Sequence, residues 1–324
     1  MKGYVENTMF FEEPALKAGN EQFEITIVPG WGSNLISFIE KKSNQELLRV
    51  PQSADEYKEK PVLYGTPLLF PPNRISGGTF IFNNHSYQFD VNERDKNNHI
   101  HGFVMTRKWE VIKAEASDNK AVIETEFNSL KHEDVLRQFP HPFIIRMTYV
   151  LDENRLQKSA TIINNSNDPF PWGFGFHTSF LFPEEVCSFS LTAQKRWTLN
   201  DRFLPTGDLT EIPYIEQLTS GMSLQDMLLD DVFLSSAKEG GRNEAVLLNE
   251  ETGIEIAYSA DGNFKNWVVY NDNGKQGFVC PEPYTWVTNA PNLNLPREIT
   301  GLQVLEPGEK KVLKTEISFS YKTK

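Results

Sequence analysis

Short runs in which apolar and polar residues alternate, broken by polar turns, recur along the whole chain and constrain its fold more than any other feature. Phe23, Ile25 and Ile27 alternate with Glu24 and Thr26, and Ile145, Met147, Tyr149 and Leu151 alternate with Arg146 and Thr148. Side chains on a strand repeat every two residues, so this period marks strands with one buried face. Turn chemistry then pairs them as hairpins: Asn83-Asn84 joins residues 79–82 to 87–91, and Thr252-Gly253 joins 245–248 to 254–258. Asp118-Asn119 follows 109–112, and Asp152 to Asn154 precede 157–163. Leu313, Thr315, Ile317, Phe319 and Tyr321 form a closing strand. Helical periodicity is scarce. One short helix is expected at residues 223–229, where Ser223 caps the start and Leu224, Met227 and Leu228 share a face.

No low-complexity linker divides the 324 residues, and no fixed-period repeat stands out. The expectation is therefore all-β: one large antiparallel β-sandwich domain over residues 1–324. With 39% hydrophobic residues and 23 Phe, the chain has ample material for a core. A net charge of −12 without a local Lys/Arg cluster disfavours nucleic acid and membrane surfaces and suits a neutral, polar ligand. Cys187 and Cys280 lack metal or disulfide spacing, and residues 1–11 lack an apolar leader. Both thiols read as buried ones in a reducing compartment, so a cytoplasmic protein is expected. The sequence is silent on oligomeric state.

Four segments carry candidate chemistry. In Asn97-Asn98-His99-Ile100-His101-Gly102, an extended backbone would point both histidines to one face. A metal needs three or four ligands, and none stands at a supporting spacing, so no metal site is expected. His101 beside the permissive Gly102 reads equally as a hydrogen-bond donor to a polar ligand. His177, in Gly173-Phe174-Gly175-Phe176-His177-Thr178-Ser179-Phe180, is either a core histidine or a pocket acid. Pro281 and Pro283 flank Glu282, which predicts a rigid, irregular edge or loop presenting one carboxylate. Arg74 follows the Pro71-Pro72 turn. Alone, Glu282 and Arg74 would read as solvated side chains. His85, His132 and His141 read as exposed loop residues.

Taken in order, these segments resemble the aldose 1-epimerase family, the galactose mutarotases and their relatives. Asn73-Arg74-Ile75 with Gly78 and Phe80 is similar to its Asn-Arg-Ile segment, and His101-Gly102 to its Asn-x-x-His-Gly motif. Gly175 to Phe180 is similar to its Gly-x-His-x-Tyr-Phe segment. Leu204-Pro205-Thr206-Gly207, Asp230-Asp231-Val232-Phe233, Glu282 and Leu305-Glu306-Pro307-Gly308-Glu309 complete the order. The resemblance implies a supersandwich of the galactose mutarotase-like type with a sugar cleft, and it supplies roles. His177 is expected as general acid toward the ring oxygen and Glu282 as general base toward the anomeric hydroxyl. Arg74, His101 and Asp230 are expected to bind the sugar. Asn73 joins them, and Trp172 is chosen to stack on the ring, with Phe174 and Trp286 as alternatives. Asp230 is preferred to Asp231 by its spacing to Phe233.

The chain departs from the family pattern at Gly102-Phe103, Glu282-Pro283-Tyr284 and Asp230-Asp231, which bears on sugar preference. Mutarotation moves one proton on and one off, so a carboxylate and an imidazole suffice and no cofactor is expected. The implied activity is α/β interconversion of a neutral hexose such as galactose or glucose. Two alternatives are a hexose-6-phosphate 1-epimerase, with phosphate held by Arg94, Lys96 or Arg107, and a carbohydrate-binding or sensing protein without catalysis.

Overall fold

The alternating runs fold as strands at the expected places in the computed structural model, which describes residues 3–236 and 241–322. The hairpin of Thr79–Phe82 and His85–Gln88 shows the turn chemistry at work. Asn83 (φ 48°) and Asn84 (φ 61°) both take the left-handed conformation, the two-residue turn that matches strand twist. His85 therefore sits opposite Phe82, and the second strand starts two residues earlier than expected.

A nine-stranded sheet holds the long antiparallel runs. The strands Lys120–Asn128, Phe143–Asp152 and Arg155–Asn164 are consecutive neighbours, and the closing strand Lys310–Tyr321 lies between Arg155–Asn164 and Ile254–Ala260. An eight-stranded sheet, hereafter the site sheet, has the order Pro205–Thr210, Ala193–Leu199, Asp230–Ser235, Asn266–Tyr270, Phe278–Tyr284, Gly175–Phe176 and Leu68–Leu69, with Phe180–Leu181 also on Phe278–Tyr284. A five-stranded sheet gathers the strands from Tyr4–Phe10 to Gln45–Glu46. The two large sheets face each other: Tyr258 of the first packs at 5.8 Å from Trp267 of the second. On Phe143–Asp152 the side chains of Phe143, Ile145, Met147, Tyr149 and Leu151 are all inaccessible. Burying each such side chain is worth roughly 1.5–3 kcal/mol before chain entropy is charged against it.

One inward position of that layer is a lysine. Lys158 alternates inward with Leu156, Ala160 and Ile162 and is wholly buried. Its Nζ donates to Tyr258 Oη at 3.2 Å and lies 4.1 Å from the centre of the Phe176 ring. Thr178 Oγ1 donates to the same Tyr258 oxygen at 3.2 Å. Burial drives the ammonium well below its usual range.

Three expectations are corrected. Residues 223–229 form no helix: Met222–Ser223 pairs with Ser188 and Phe189, Ser223 Oγ accepts from Gln225 N at 3.1 Å, and Asp226 has φ 61°. A serine that bonds its own backbone two residues on competes with helix formation. Short helices lie instead at Ala54–Glu59, Glu133–Gln138, Ile215–Ser220 and Arg297–Thr300. Glu282 lies on no loop but within Phe278–Tyr284, buried along its whole length and registered with Asn266–Tyr270. The other side of that strand is paired only at Phe278, Val279 and Tyr284, so Pro281 and Pro283, which lack N–H donors, need interrupt no ladder there. His141 is buried, and its Nε2 lies 2.8 Å from Tyr87 Oη. Among the described residues no helix is long and apolar enough to cross a membrane.

Candidate active site

The strands Arg74–Ser76 and Asn98–Ile100 pair with Ile100 opposite Arg74, and both leave regular geometry at the same end. Asn73 (φ 55°) and His101 (φ 65°) adopt the left-handed conformation, and His101 N donates to Asn73 O at 3.0 Å. Gly102 (φ 69°) follows, where a Cβ would stand 2.1 Å from Phe70 O. Only glycine lets the chain turn there and carry His101 inward. His99 and His101 therefore diverge, against the expectation for an extended segment. His99 Nδ1 donates to Asp90 O at 2.8 Å, and its ring packs on Phe89 and Phe103.

His177 lies between two short strands, in the gap left beside Cys280 to Pro283, with its N–H on Pro67 O at 3.0 Å. Its Nε2 is 3.1 Å from Glu282 Oε1. Tyr284 Oη donates to the second carboxylate oxygen, Oε2. Tyr284 is held in turn by the Asn73 side chain and packs against Gly175, where a Cβ would meet its ring at 2.2 Å. His177 and Glu282 retain 4% and 1% exposure.

Burial pushes both partners toward their uncharged forms: His177 down to about 3, Glu282 well above the usual carboxylate range. Their contact favours the opposite arrangement, imidazolium against carboxylate. The two arrangements hold the same single proton, so the pair titrates as a unit. Tyr284 favours the ionised carboxylate, since its hydrogen bond lowers the Glu282 pKa. Tyr284→Phe is thus expected to shift the shared proton toward Glu282, lower the plateau rate and move the alkaline limb of a pH–rate profile, where the pair loses that proton, to higher pH. An unmoved limb would show that Tyr284 does not set the carboxylate.

Around the pair, Arg74 Nε stands 3.0 Å from both oxygens of Glu93, and Asn98 Nδ2 holds Glu93 Oε2 at 2.8 Å. Burial raises the Asp230 pKa, and the Arg74 charge partly offsets this. Burial also holds His101 well below its usual value, helped by His177 and Arg74, so it presents a neutral imidazole. The His101 and His177 rings are 5.7 Å apart and perpendicular, and Nδ1 of each is buried without a partner among the described residues.

A cavity of about 350 Å3 is lined by Asn73, Arg74, His101, His177, Asp230 and Glu282. Residues 59–63, running on from the helix Ala54–Glu59, form one wall, and Tyr270 another. Trp172 is not among the lining residues. It is 1% exposed, in the strand Phe170–Trp172 paired with Gln303–Leu305, beside Trp286 in the aromatic core. Phe174 and Trp286 are equally buried, so none of the three offers a free face. The aromatic side chain in the cleft is Tyr270, opposite Asp230 in register, with Oη donating to Asp272 Oδ1 at 3.0 Å. Sequence reading missed Tyr270, Tyr284 and Glu93; of these only Tyr284, two residues from Glu282 on one strand, carried a local signal. Among the expected phosphate ligands, Arg107 pairs with Asp134, and neither it nor Arg94 lines the cleft. Among the described residues no group of three or more His, Cys, Asp or Glu is placed to hold a metal.

Solved structures of other proteins share this fold. A galactose mutarotase-like protein from Clostridium acetobutylicum superposes with a TM-score of 0.94 at 26% identity, covering 99% of each chain. Galactose 1-epimerase from Lactobacillus acidophilus superposes with a TM-score of 0.79 at 16% identity over 100% of both chains. A putative aldose 1-epimerase from Escherichia coli K12 gives 0.75 at 17% identity, covering 99% of this chain and 100% of that one. These share the fold, and the sequence model of one family, described as aldose 1-epimerase, matches residues 14–318. A match that runs from the second strand of the five-stranded sheet into the closing strand, and so spans every residue of the cleft, means that the chain belongs to the aldose 1-epimerase family.

Proposed function

We propose that the protein is an aldose 1-epimerase that interconverts the α and β anomers of a neutral hexose such as galactose or glucose, and that residues 1–324 act as one domain around one cleft. The observation that carries this is the buried pair of His177 and Glu282, 3.1 Å apart at the cleft floor with Arg74, His101 and Asp230 around it. In the ionised arrangement Glu282 takes the anomeric proton while His177 delivers one to the ring oxygen. The C1–O5 bond opens to the aldehyde, the carbonyl end rotates, and the ring closes on its other face with the two roles exchanged. The pair begins and ends with one proton, so no bulk acid or base is consumed. Arg74 and His101 are placed to donate to sugar oxygens, and Asp230 to accept from a hydroxyl.

The charges lining the cleft favour a neutral sugar over a phosphate. Lys60 and Arg74 face Glu59, Asp230 and Glu282, and Arg74 is already engaged by Glu93. Polarimetry on freshly dissolved α-glucose, α-galactose and their 6-phosphates checks the reading. The expected result is faster approach to equilibrium for a neutral hexose than for its phosphate; acceleration of the phosphates alone would reverse the assignment, and binding without acceleration would make the protein a sugar sensor.

A further inference from the structure

Arg74 is gripped by two residues that do not themselves line the cleft. Its Nε donates to both oxygens of Glu93 at 3.0 Å, and its guanidinium carbon lies over the Phe203 ring, 4.8 Å from the centre. Neither Nη group has a hydrogen-bond partner among the described residues, and the side chain lines the cleft. The guanidinium is planar and rigid, so a carboxylate at its Nε edge and a ring against it fix the direction in which the remaining donors point.

The surroundings hold both residues in place. Phe203 lies in the turn between Ala193–Leu199 and Pro205–Thr210 at φ 58°, a conformation that a bulky side chain rarely adopts. Asn200 imposes it: Oδ1 accepts from Arg202 N at 2.9 Å and from Leu204 N at 3.2 Å, and the Asn200 carbonyl accepts from Phe203 N at 2.9 Å. Backbone held against its preference gathers at functional sites, and here it carries the ring to Arg74. Arg202 ties this turn to the other grip, with Nε donating to Lys96 O at 2.7 Å and Nη2 to Asn98 Oδ1 at 2.9 Å. Asn98 Nδ2 in turn donates to Glu93 Oε2 at 2.8 Å, and the two residues exchange backbone hydrogen bonds at 3.0 and 3.1 Å. Glu93, Asn98, Arg202 and Phe203 thus form one continuous brace around a cation of the cleft.

We infer that Glu93 and Phe203 are positioning residues for the reaction: they aim the Nη donors of Arg74 at the sugar and act on it only through Arg74. The inference rests on the reading of the cleft as a site of anomer exchange. A merely structural role, in which the same contacts hold two loops together, predicts a different pattern of variants.

A mutant cycle separates the two. Glutamine at 93 offers one acceptor oxygen where Arg74 Nε and Asn98 Nδ2 both need one, and leucine at 203 keeps apolar bulk without a ring. Glu93→Gln and Phe203→Leu should each lower kcat/KM for glucose or galactose about tenfold, while Phe203→Tyr, which keeps the ring, stays within about twofold of wild type. In an Arg74→Met background neither Glu93→Gln nor Phe203→Leu should cost more than about twofold further, because the group they aim is gone. Thermal unfolding checks that each variant is folded. Phe203 is a half-buried turn residue, so its variants keep the test standing should Glu93→Gln fail to fold. Equal losses with and without Arg74, or wild-type kinetics in the single variants, overturn the brace and leave the epimerase reading intact. A wild type that binds hexose without turnover would sink the epimerase reading instead, and the same cycle read in calorimetric affinity then decides the brace. A wild type that neither binds nor converts either hexose would overturn both.

Discussion

Glu282→Gln is expected to lower the rate of mutarotation by at least ~10², and His177→Asn by a similar factor, with folding retained in both. Glutamine keeps the size of the side chain and can still accept from Tyr284, but it cannot take a proton. Asparagine keeps a polar group beside residue 282 and offers no titratable nitrogen. Because the two residues share one proton across 3.1 Å, they act as one device, and the double variant should be little worse than either single one. Polarimetry at neutral pH reads the loss, and thermal unfolding confirms that it is chemical. Wild-type rates in either single variant would remove that residue from the mechanism.

Lys158→Met is expected to stabilise the protein, against the usual direction of a core substitution. A buried charge without a carboxylate partner must shed its proton or lose its solvation, and either is costly. The sign of the pH dependence follows. The unfolded lysine titrates near 10.5, while burial lowers the folded value well below that, so between the two pKa values the unfolded chain binds one more proton. Lys158 therefore costs stability at neutral pH, and the cost fades as pH rises toward 10.5. Methionine has similar length and no charge, and it keeps contact with the Phe176 ring. The variant should unfold at higher temperature at pH 7, by about 1–4 kcal/mol in free energy, and the gap should narrow by pH 10. A variant less stable than wild type at both pH values would show that the bond to Tyr258 outweighs desolvation. The contact chain from Lys158 through Tyr258 to Thr178 ends next to His177, so the activity of this variant also bears on how the imidazole is held.

The strands were legible because alternation is a local property. Phe143 to Leu151 must point one way whatever lies opposite, and two asparagines in a row specify a tight turn by themselves. His101, His177, Arg74, Asp230, Asn73 and Glu282 were found through motifs that keep their order along the chain, and the structure brings all six to one cavity. What failed were properties that depend on a second layer. Whether Trp172 faces sugar or core depends on the Gln303–Leu305 strand laid beside it. Whether two prolines break a strand depends on which side of it lacks a ladder, and that follows from where His177 crosses. Tyr270 and Glu93 join the site by register with Asp230 and by an ion pair to Arg74, neither of which leaves a trace in the spacing. The missing helix at residues 223–229 is different: Ser223 was read as a cap for a helix, although the same hydroxyl can close a turn.

The position of Lys310–Tyr321 between Arg155–Asn164 and Ile254–Ala260 has a consequence for the order of assembly. Two neighbours separated by about a hundred residues wait, with open edges, for a strand that follows both of them in the chain. The nine-stranded sheet stays in two halves until residues 310–321 are made, and its completion is a long-range event of the slow kind. A chain that stops short of residue 310 exposes two long hydrogen-bonding edges to any other chain nearby. Premature termination in this protein should therefore yield aggregates rather than a shortened folded chain.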